Sequence, residues 1–161
     1  MSAHVLIIDP ATERDLEAIL ALEQTGFVPA SRWTDRSWLP ELSGGDHFAP
    51  AVRDQNGVLQ GVASIQLIGD VADLNRVVVD PGHRGRGIGR ALIEAGLGWA
   101  GSHGGERMLL EVERANDTAI GLYRALGFVP ISSRANYYGA GRAALGMQRE
   151  MIACAGRWSW E

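Results

Sequence analysis

The run NRVVVDPGHRGRGIGRALIEAGLGWA, residues 75–100, limits the possible folds of this chain more than any other stretch. Branched residues predict a strand over 71–81, ending at Pro81, because proline has no N–H to give to a central ladder. Ile88, Ala91, Leu92, Ala95 and Trp99 then recur at helical spacing, which predicts a helix from about Gly87 to Ser102. A further strand, RMLLEVE at 107–113, completes a β-α-β crossover. A strand feeding a helix N-terminus through glycines is an anion site. The first-turn N–H groups have no intrahelical partner, and the helix dipole places roughly half a positive charge there. Here Gly82, Gly85, Gly87 and Gly89 allow close backbone approach, and His83, Arg84, Arg86 and Arg90 add charge.

Spacing removes two familiar anions. The dinucleotide pattern Gly-x-Gly-x-x-Gly fails, because Arg90 or Leu92 stands where the third glycine belongs. A nucleotide-binding Walker loop fails because Ile88-Gly89 replaces Lys-Ser/Thr, and the chain contains no lysine at all. Its 15 basic residues are all arginine, which also excludes Schiff-base and lysine-base chemistry.

The rest of the chain predicts a mixed α+β class. HVLIIDP (4–10) reads as a strand, and Thr12 with Asp15 as a capping box opening a helix to about Gln24. GFVPASRWTDRSWLPELSG (26–44) reads as an aromatic-bearing loop with a short helix near Ser37–Leu42. Residues 48–68 read as a hairpin turning at Asp54–Gly57. Residues 116–126 form a helix closed by Gly127, and 128–134 with 143–151 a final hairpin. The helices therefore interrupt a largely antiparallel sheet. The expected organisation is one domain over 1–151 with a tail over 152–161 that carries Trp158 and Trp160.

Composition narrows the partners. The net charge of −4 leaves no electrostatic footprint for nucleic acid, and no apolar run approaches the roughly 20 residues of a membrane span. A soluble, cytoplasmic protein is expected, with no membrane partner. No Cys or His cluster has metal-ligand spacing, so no metal is expected; the single Cys154 reads as a surface or packing thiol. His4, His47 and His103 show no partner pattern and are expected at the surface.

Arg84-x-x-Gly87-x-Gly89 after Val79-Asp80-Pro81 resembles the acetyl-CoA pyrophosphate loop of the GNAT N-acetyltransferase family. The stretch 109–128 resembles the RimI-type branch, which acetylates the N-terminal alanine of a small-subunit ribosomal protein. Leu110, Glu111, Val112, Asn116, Ala119, Leu122, Tyr123, Gly127 and Phe128 meet its pattern, with Glu113 where arginine is common. RWTDRSW (32–38) is similar to the branch's acceptor loop, and RANYY (134–138) to its paired tyrosines.

The resemblance implies a splayed six- to seven-stranded GNAT sheet flanked by helices. It also implies acetyl-CoA as co-substrate and a protein N-terminus, that of a ribosomal protein, as acceptor. Backbone groups of Val77, Val78 and Val79 would bind pantetheine. Gly85, Arg86, Gly87, Ile88, Gly89 and Arg90, with Arg84, would bind the pyrophosphate. Asn116 would contact the cofactor arm or cap its helix. Trp33, Tyr137 and Tyr138 would line the acceptor groove. Glu111 lies mid-strand among apolar residues, where burial would make its carboxylate a stronger base, so it is expected as the general base, directly or through water. Tyr123, with an ordinary pKa near 10, is expected to protonate the departing thiolate.

An α-amino group near pKa 8 costs about 1.4 kcal/mol to deprotonate at pH 7, and a lysine near 10.4 roughly 4.6 kcal/mol. A single carboxylate suits the first, which favours a protein N-terminus. A small-molecule amine acetyltransferase sharing the cofactor loop is the alternative. A non-catalytic acyl-CoA module would keep the loop and lose Glu111 and Tyr123.

Overall fold

The computed structural model describes residues 6–151, so His4, Cys154, Trp158, Trp160 and the expected tail lie outside the described residues. Among the described residues the strands make a mixed, mainly antiparallel, open sheet of eight. The strand beyond the expected six to seven is a two-residue one at His47–Phe48, too short to show alternation in sequence. Two compact units divide the described residues: one holds 6–66 and Leu74–Trp99, the other Leu67–Asp73 and 100–151.

The first unit begins with β1 (Ile7–Pro10) and α1 (Leu16–Gly26), followed by α2 (Asp35–Ser43), β2 (His47–Phe48), β3 (Pro50–Arg53) and β4 (Leu59–Ile68). It also holds most of β5 (Val71–Val79) and of α3 (Ile88–Ser102). The expected capping box forms: Thr12 Oγ1 accepts from Arg14 N–H, and Asp15 accepts from Thr12 N–H at 2.9 Å. The box caps a 3-10 turn at Glu13–Asp15, and α1 follows directly from that turn. β3 pairs antiparallel with β1 and β4, and β2 with β4. The predicted turn between β3 and β4 is held by Asp54, whose carboxylate accepts from Asn56 and Val58 N–H, with Gly57 at φ 83°. Ile19, Leu22, Trp38, Val62 and Val78 share one buried cluster, so α1, α2, β4 and β5 have a common core.

Gly61 on β4 sets how closely α3 packs. A Cβ there would lie 2.7 Å from Ile88 Cγ2, 3.2 Å from Leu92 Cδ1 and 3.2 Å from the Val78 carbonyl. Only a glycine lets Ile88, 2% exposed, seat the first turn of α3 against β4.

The second unit contains the β4–β5 tip, β6 (Arg107–Glu113), α4 (Asp117–Ala125), β7 (Val129–Arg134) and β8 (Ala144–Glu150). β6 is parallel to β5 over Val71–Asp73 and antiparallel to β8 along its whole length; β7 pairs the other side of β8. α4 ends in a Schellman motif: Phe128 N–H donates to the Tyr123 carbonyl at 3.0 Å, Gly127 N–H to that of Arg124 at 3.0 Å, and Gly127 sits at φ 94°. The Gly-Phe pair therefore has a local cause. Its apolar contact is Phe128, 1% exposed, edge-on to the Tyr123 ring with centroids 5.9 Å apart.

Candidate active site

The strand–turn–helix of the first unit forms as expected. β5 ends at Val79, and Asp80 N–H donates to the Gln60 carbonyl at 2.9 Å. Pro81–His83 make a 3-10 turn in which the His83 ring pairs with the Asp80 carboxylate. Gly85 and Gly87 adopt φ of 81° and 79°, and a Cβ at either would meet nothing within 4 Å. Their left-handed conformation and the open space above them leave the backbone amides accessible to an anion. α3 begins at Ile88, one residue later than expected, so the amides of Ile88, Gly89 and Arg90 are first-turn donors. Arg84, Arg86 and Arg90 are exposed, and Arg90 lies 3.5 Å from Glu94 one turn on. These residues fit a pyrophosphate. Ile88 contributes its amide only, since its side chain is buried. Val78 is buried too, while Val77 and Val79 are half-buried.

The aromatic loop starts beside that strand end. A Cβ on Gly26 would lie 3.3 Å from Val78 Cγ1, 3.9 Å from an Arg84 guanidinium nitrogen and 4.0 Å from the Val79 carbonyl. α2 begins at Asp35, two residues before the expected start, and carries Pro40 within it. Trp33 is half-buried against the core and Trp38 is fully buried, edge-on at 5.3 Å. Much of the Trp33 ring surface thus serves to anchor the loop. The residue that organises it, Glu23, carries no signal in the sequence beyond its place in the helical period of α1. Its carboxylate, 1% exposed, accepts from Trp33 N–H (3.0 Å), Trp38 Nε1 (2.9 Å) and Arg76 (2.6 and 3.1 Å).

His47 departs from the expected surface position. Its side chain is 10% exposed, with Nε2 3.3 Å from Glu41 and Nδ1 2.9 Å from Asp46. The Nδ1–Asp46 approach has ion-pair distance without hydrogen-bond direction. Glu41 also accepts from the buried Ser64 hydroxyl and from Asn75, so it ties α2 to β4 and β5.

The second unit holds Glu111 and Tyr123, and both differ from expectation in their surroundings. Met108, Leu110 and Val112 are buried and Glu111 is exposed, because β6 alternates and Glu111 falls on the opposite face. The expected burial of Glu111 is therefore not found. Its carboxylate lies 3.3 Å from Arg134 Nε, and Arg134 stacks 5.0 Å from the centre of the Tyr137 ring. Asp73 pairs Leu109 in the parallel register, two residues from Glu111 on the same face. Burial, and then the negative charge of Glu111, push the Asp73 carboxyl above its ordinary value. Asp73 and Arg134 were not among the expected site residues; same-face alternation across the β5–β6 pair is the signal for Asp73.

Tyr123 departs from its expected ordinary pKa. Burial, with Tyr138 adding a smaller effect, pushes its hydroxyl up to about 12, well above the ordinary 10. Asn116 caps α4, its side-chain oxygen accepting from Ala119 N–H at 3.2 Å, which is the capping role of the two expected for it. Tyr137 and Tyr138, 50% and 38% exposed, meet edge-on at 5.1 Å. Their turn is braced by Asn136, at φ 58°, whose side chain accepts from Gly141 N–H at 2.7 Å, and by Arg142 in a two-bond fork on Glu113. Glu113 thus has a structural task where the branch pattern has arginine; the Arg142 guanidinium holds its carboxyl below the ordinary value. Glu111, Tyr123, Tyr137 and Tyr138 share this unit, and Val77–Val79, Arg84–Arg90 and Trp33 share the other.

Among the described residues no helix is long and apolar enough to cross a membrane, and no three His, Cys, Asp or Glu side chains are grouped to hold a metal. An uncharacterized Mycobacterium leprae protein, ML0378, is 34% identical over 90% of this chain, and the chain spans 41% of that protein's length. The N-alpha-acetyltransferase RimI of Mycobacterium tuberculosis is 33% identical over 89% of this chain and 91% of its own. The crystal structure of the ribosomal-protein-S18-alanine N-acetyltransferase from Escherichia coli superposes with a TM-score of 0.83 at 30% identity, covering 91% of this chain and 94% of that one. The Acetyltransferase (GNAT) family profile matches residues 14–128, and with these relatives it makes the chain a member of the GNAT family, an N-acetyltransferase of RimI-like type.

Proposed function

We propose that the chain transfers an acetyl group from acetyl-CoA directly to the α-amino group of a protein N-terminus, with that of a ribosomal protein as the leading acceptor. The observation that carries this reading is the exposed Glu111 carboxylate on the same unit as the proton-retaining Tyr123 and the exposed Tyr137–Tyr138 pair. The two relatives that are an N-alpha-acetyltransferase and a ribosomal-protein-alanine N-acetyltransferase support the acceptor class. Members of the family use acetyl-CoA as co-substrate. The open amides of Gly85–Arg90, with Arg84, Arg86 and Arg90, suit its diphosphate, and the backbone of Val77–Val79 suits its pantetheine arm.

In this reading Glu111, directly or through a water, takes the proton the amine loses as nitrogen bonds to the thioester carbon. Displacing Arg134 from Glu111 frees that carboxylate to face the incoming neutral amine, whose ammonium form has already lost its extra proton to water. Tyr123 keeps its proton at neutral pH. Handing it completely to a thiolate is uphill, because the thiol's pKa, near 8.5, lies well below that of the buried hydroxyl. Its contribution is therefore a hydrogen bond to sulfur as the carbon–sulfur bond breaks, and water completes the protonation.

The test is a turnover panel with acetyl-CoA: peptides differing only in their first residue, lysine with a blocked α-amine, and 1,4-diaminobutane. Preference for a peptide α-amine, strongest for a small first residue, is expected; equal or better turnover of the diamine overturns the reading. Glu111→Gln and Tyr123→Phe should each lower kcat by on the order of 10²-fold while CoA affinity holds, and unchanged kcat in both refutes these roles.

A further inference from the structure

We propose that Glu23 and Arg76 are positioning residues that set acceptor affinity, by fixing the irregular segment 27–38 against the end of β5. This rests on the reading of that segment as the acceptor-facing surface, and extends it to the device that shapes it. Apart from a 3-10 turn at Pro29–Ser31 and the start of α2, the segment has no regular structure, and its conformation comes from charged side chains. The Glu23 carboxylate binds Trp33 and Trp38. The Arg76 guanidinium forks onto Glu23, donates to the Ser31 carbonyl at 2.7 Å, lies 3.8 Å over the Phe27 ring and reaches within 5.1 Å of that of Trp33. From inside the segment, Arg32 donates back to the Phe27 and Gln24 carbonyls, both at 2.9 Å. The outer side is left open, with Val28 62% exposed.

A buried ion pair is a poor way to gain stability, since apolar residues of equal volume serve as well. A guanidinium fork adds direction: two parallel hydrogen bonds and a stacked ring fix an angle that an apolar contact would leave loose. The location gives that direction a use. Arg76 directly precedes Val77–Val79, and the segment leaves α1 at Gly26, against Val78, Val79 and Arg84. The same strand that carries the cofactor-facing backbone therefore holds the loop in place.

Arg76→Lys keeps the charge and removes the fork and the stack. Steady-state kinetics on the full chain, with an alanine-initiated peptide and acetyl-CoA varied separately, should show acceptor KM raised about tenfold, equivalent to about 1.4 kcal/mol of lost acceptor binding. KM for acetyl-CoA, CoA affinity and kcat should stay within about twofold. Glu23→Gln, which keeps side-chain volume, should give the same split. Unchanged acceptor KM, or both KM values rising together with a fall in thermal midpoint, overturns the proposal. Failure of both variants to fold also overturns it, in favour of a purely structural pair. If the wild type prefers 1,4-diaminobutane, the split is measured with that amine, so a failed acceptor class and a failed positioning role give different results.

Discussion

Replacing Gly61 by alanine tests whether the close seat of α3 supports both stability and cofactor binding. The added Cβ would lie 2.7 Å from Ile88 Cγ2, a branched side chain with little freedom, and 3.2 Å from the Val78 carbonyl, which is backbone. Both neighbours have to move. Gly61 lies in a strand with no positive φ, so alanine strains no dihedral and gains roughly 0.5 kcal/mol from the unfolded chain. Overpacking costs about 1–3 kcal/mol, leaving a net loss of about 0.5–2.5 kcal/mol. For a chain of this size that lowers the thermal midpoint by roughly 1–10 °C. The atom displaced first belongs to the first residue of α3, so the first-turn amides should shift with it. A loss of about 1 kcal/mol in cofactor binding would raise KM for acetyl-CoA about fivefold. Gly98→Ala is the control. It lies in α3 with open space at its Cβ, and should stabilise by roughly 0.5–1 kcal/mol with KM unchanged. Scanning calorimetry and steady-state kinetics on both variants decide the matter. An unchanged or raised midpoint for Gly61→Ala, or an acetyl-CoA KM matching that of Gly98→Ala, refutes the reasoning.

Asp73→Asn should raise stability at pH 7, measured as a higher thermal midpoint. The folded pKa of Asp73 is raised, so its stabilising contribution is present below the unfolded value near 3.9 and lost as pH rises through the folded one. A lower midpoint at pH 7 would contradict that sign. For Tyr123 the raised value places the corresponding loss between about pH 10 and about 12. Tyr123→Phe should accordingly flatten the alkaline decline in stability over that window, and an identical decline would refute it. Thr12→Ala removes the side-chain half of the capping box and should cost about 1 kcal/mol in denaturant titration; no measurable loss would count against the cap.

Local chemistry was readable from the sequence, and long-range partnership was not. The strand–turn–helix around Asp80–Arg90, the capping box at Thr12 and the Gly127 stop each depend on a few consecutive residues, and all three form. The Glu23 cluster draws on Trp33, Trp38 and Arg76, as many as 53 positions away, so no window of sequence contains it. His47 is enclosed by Glu41 and Asp46, only six and one positions away, and by its pairing with Gln66 on β4, which no local pattern announces. The exposure of Glu111 is different, since it was present in the pattern. Period-two alternation in RMLLEVE puts Met108, Leu110 and Val112 on one side, and apolar neighbours along a strand do not bury the residue between them. Tyr123 had an ordinary reference value in sequence; the Phe128 contact that helps desolvate it depends on the αL turn at Gly127.

The Glu23 cluster also bears on the thermodynamics of recognition. In the proposed acceptor role, segment 27–38 is already folded onto Glu23 and Arg76 and has lost its conformational entropy before any ligand arrives, so acceptor association would carry little ordering cost. Its heat-capacity change should then match the contact area alone, without the excess that marks coupled folding and binding.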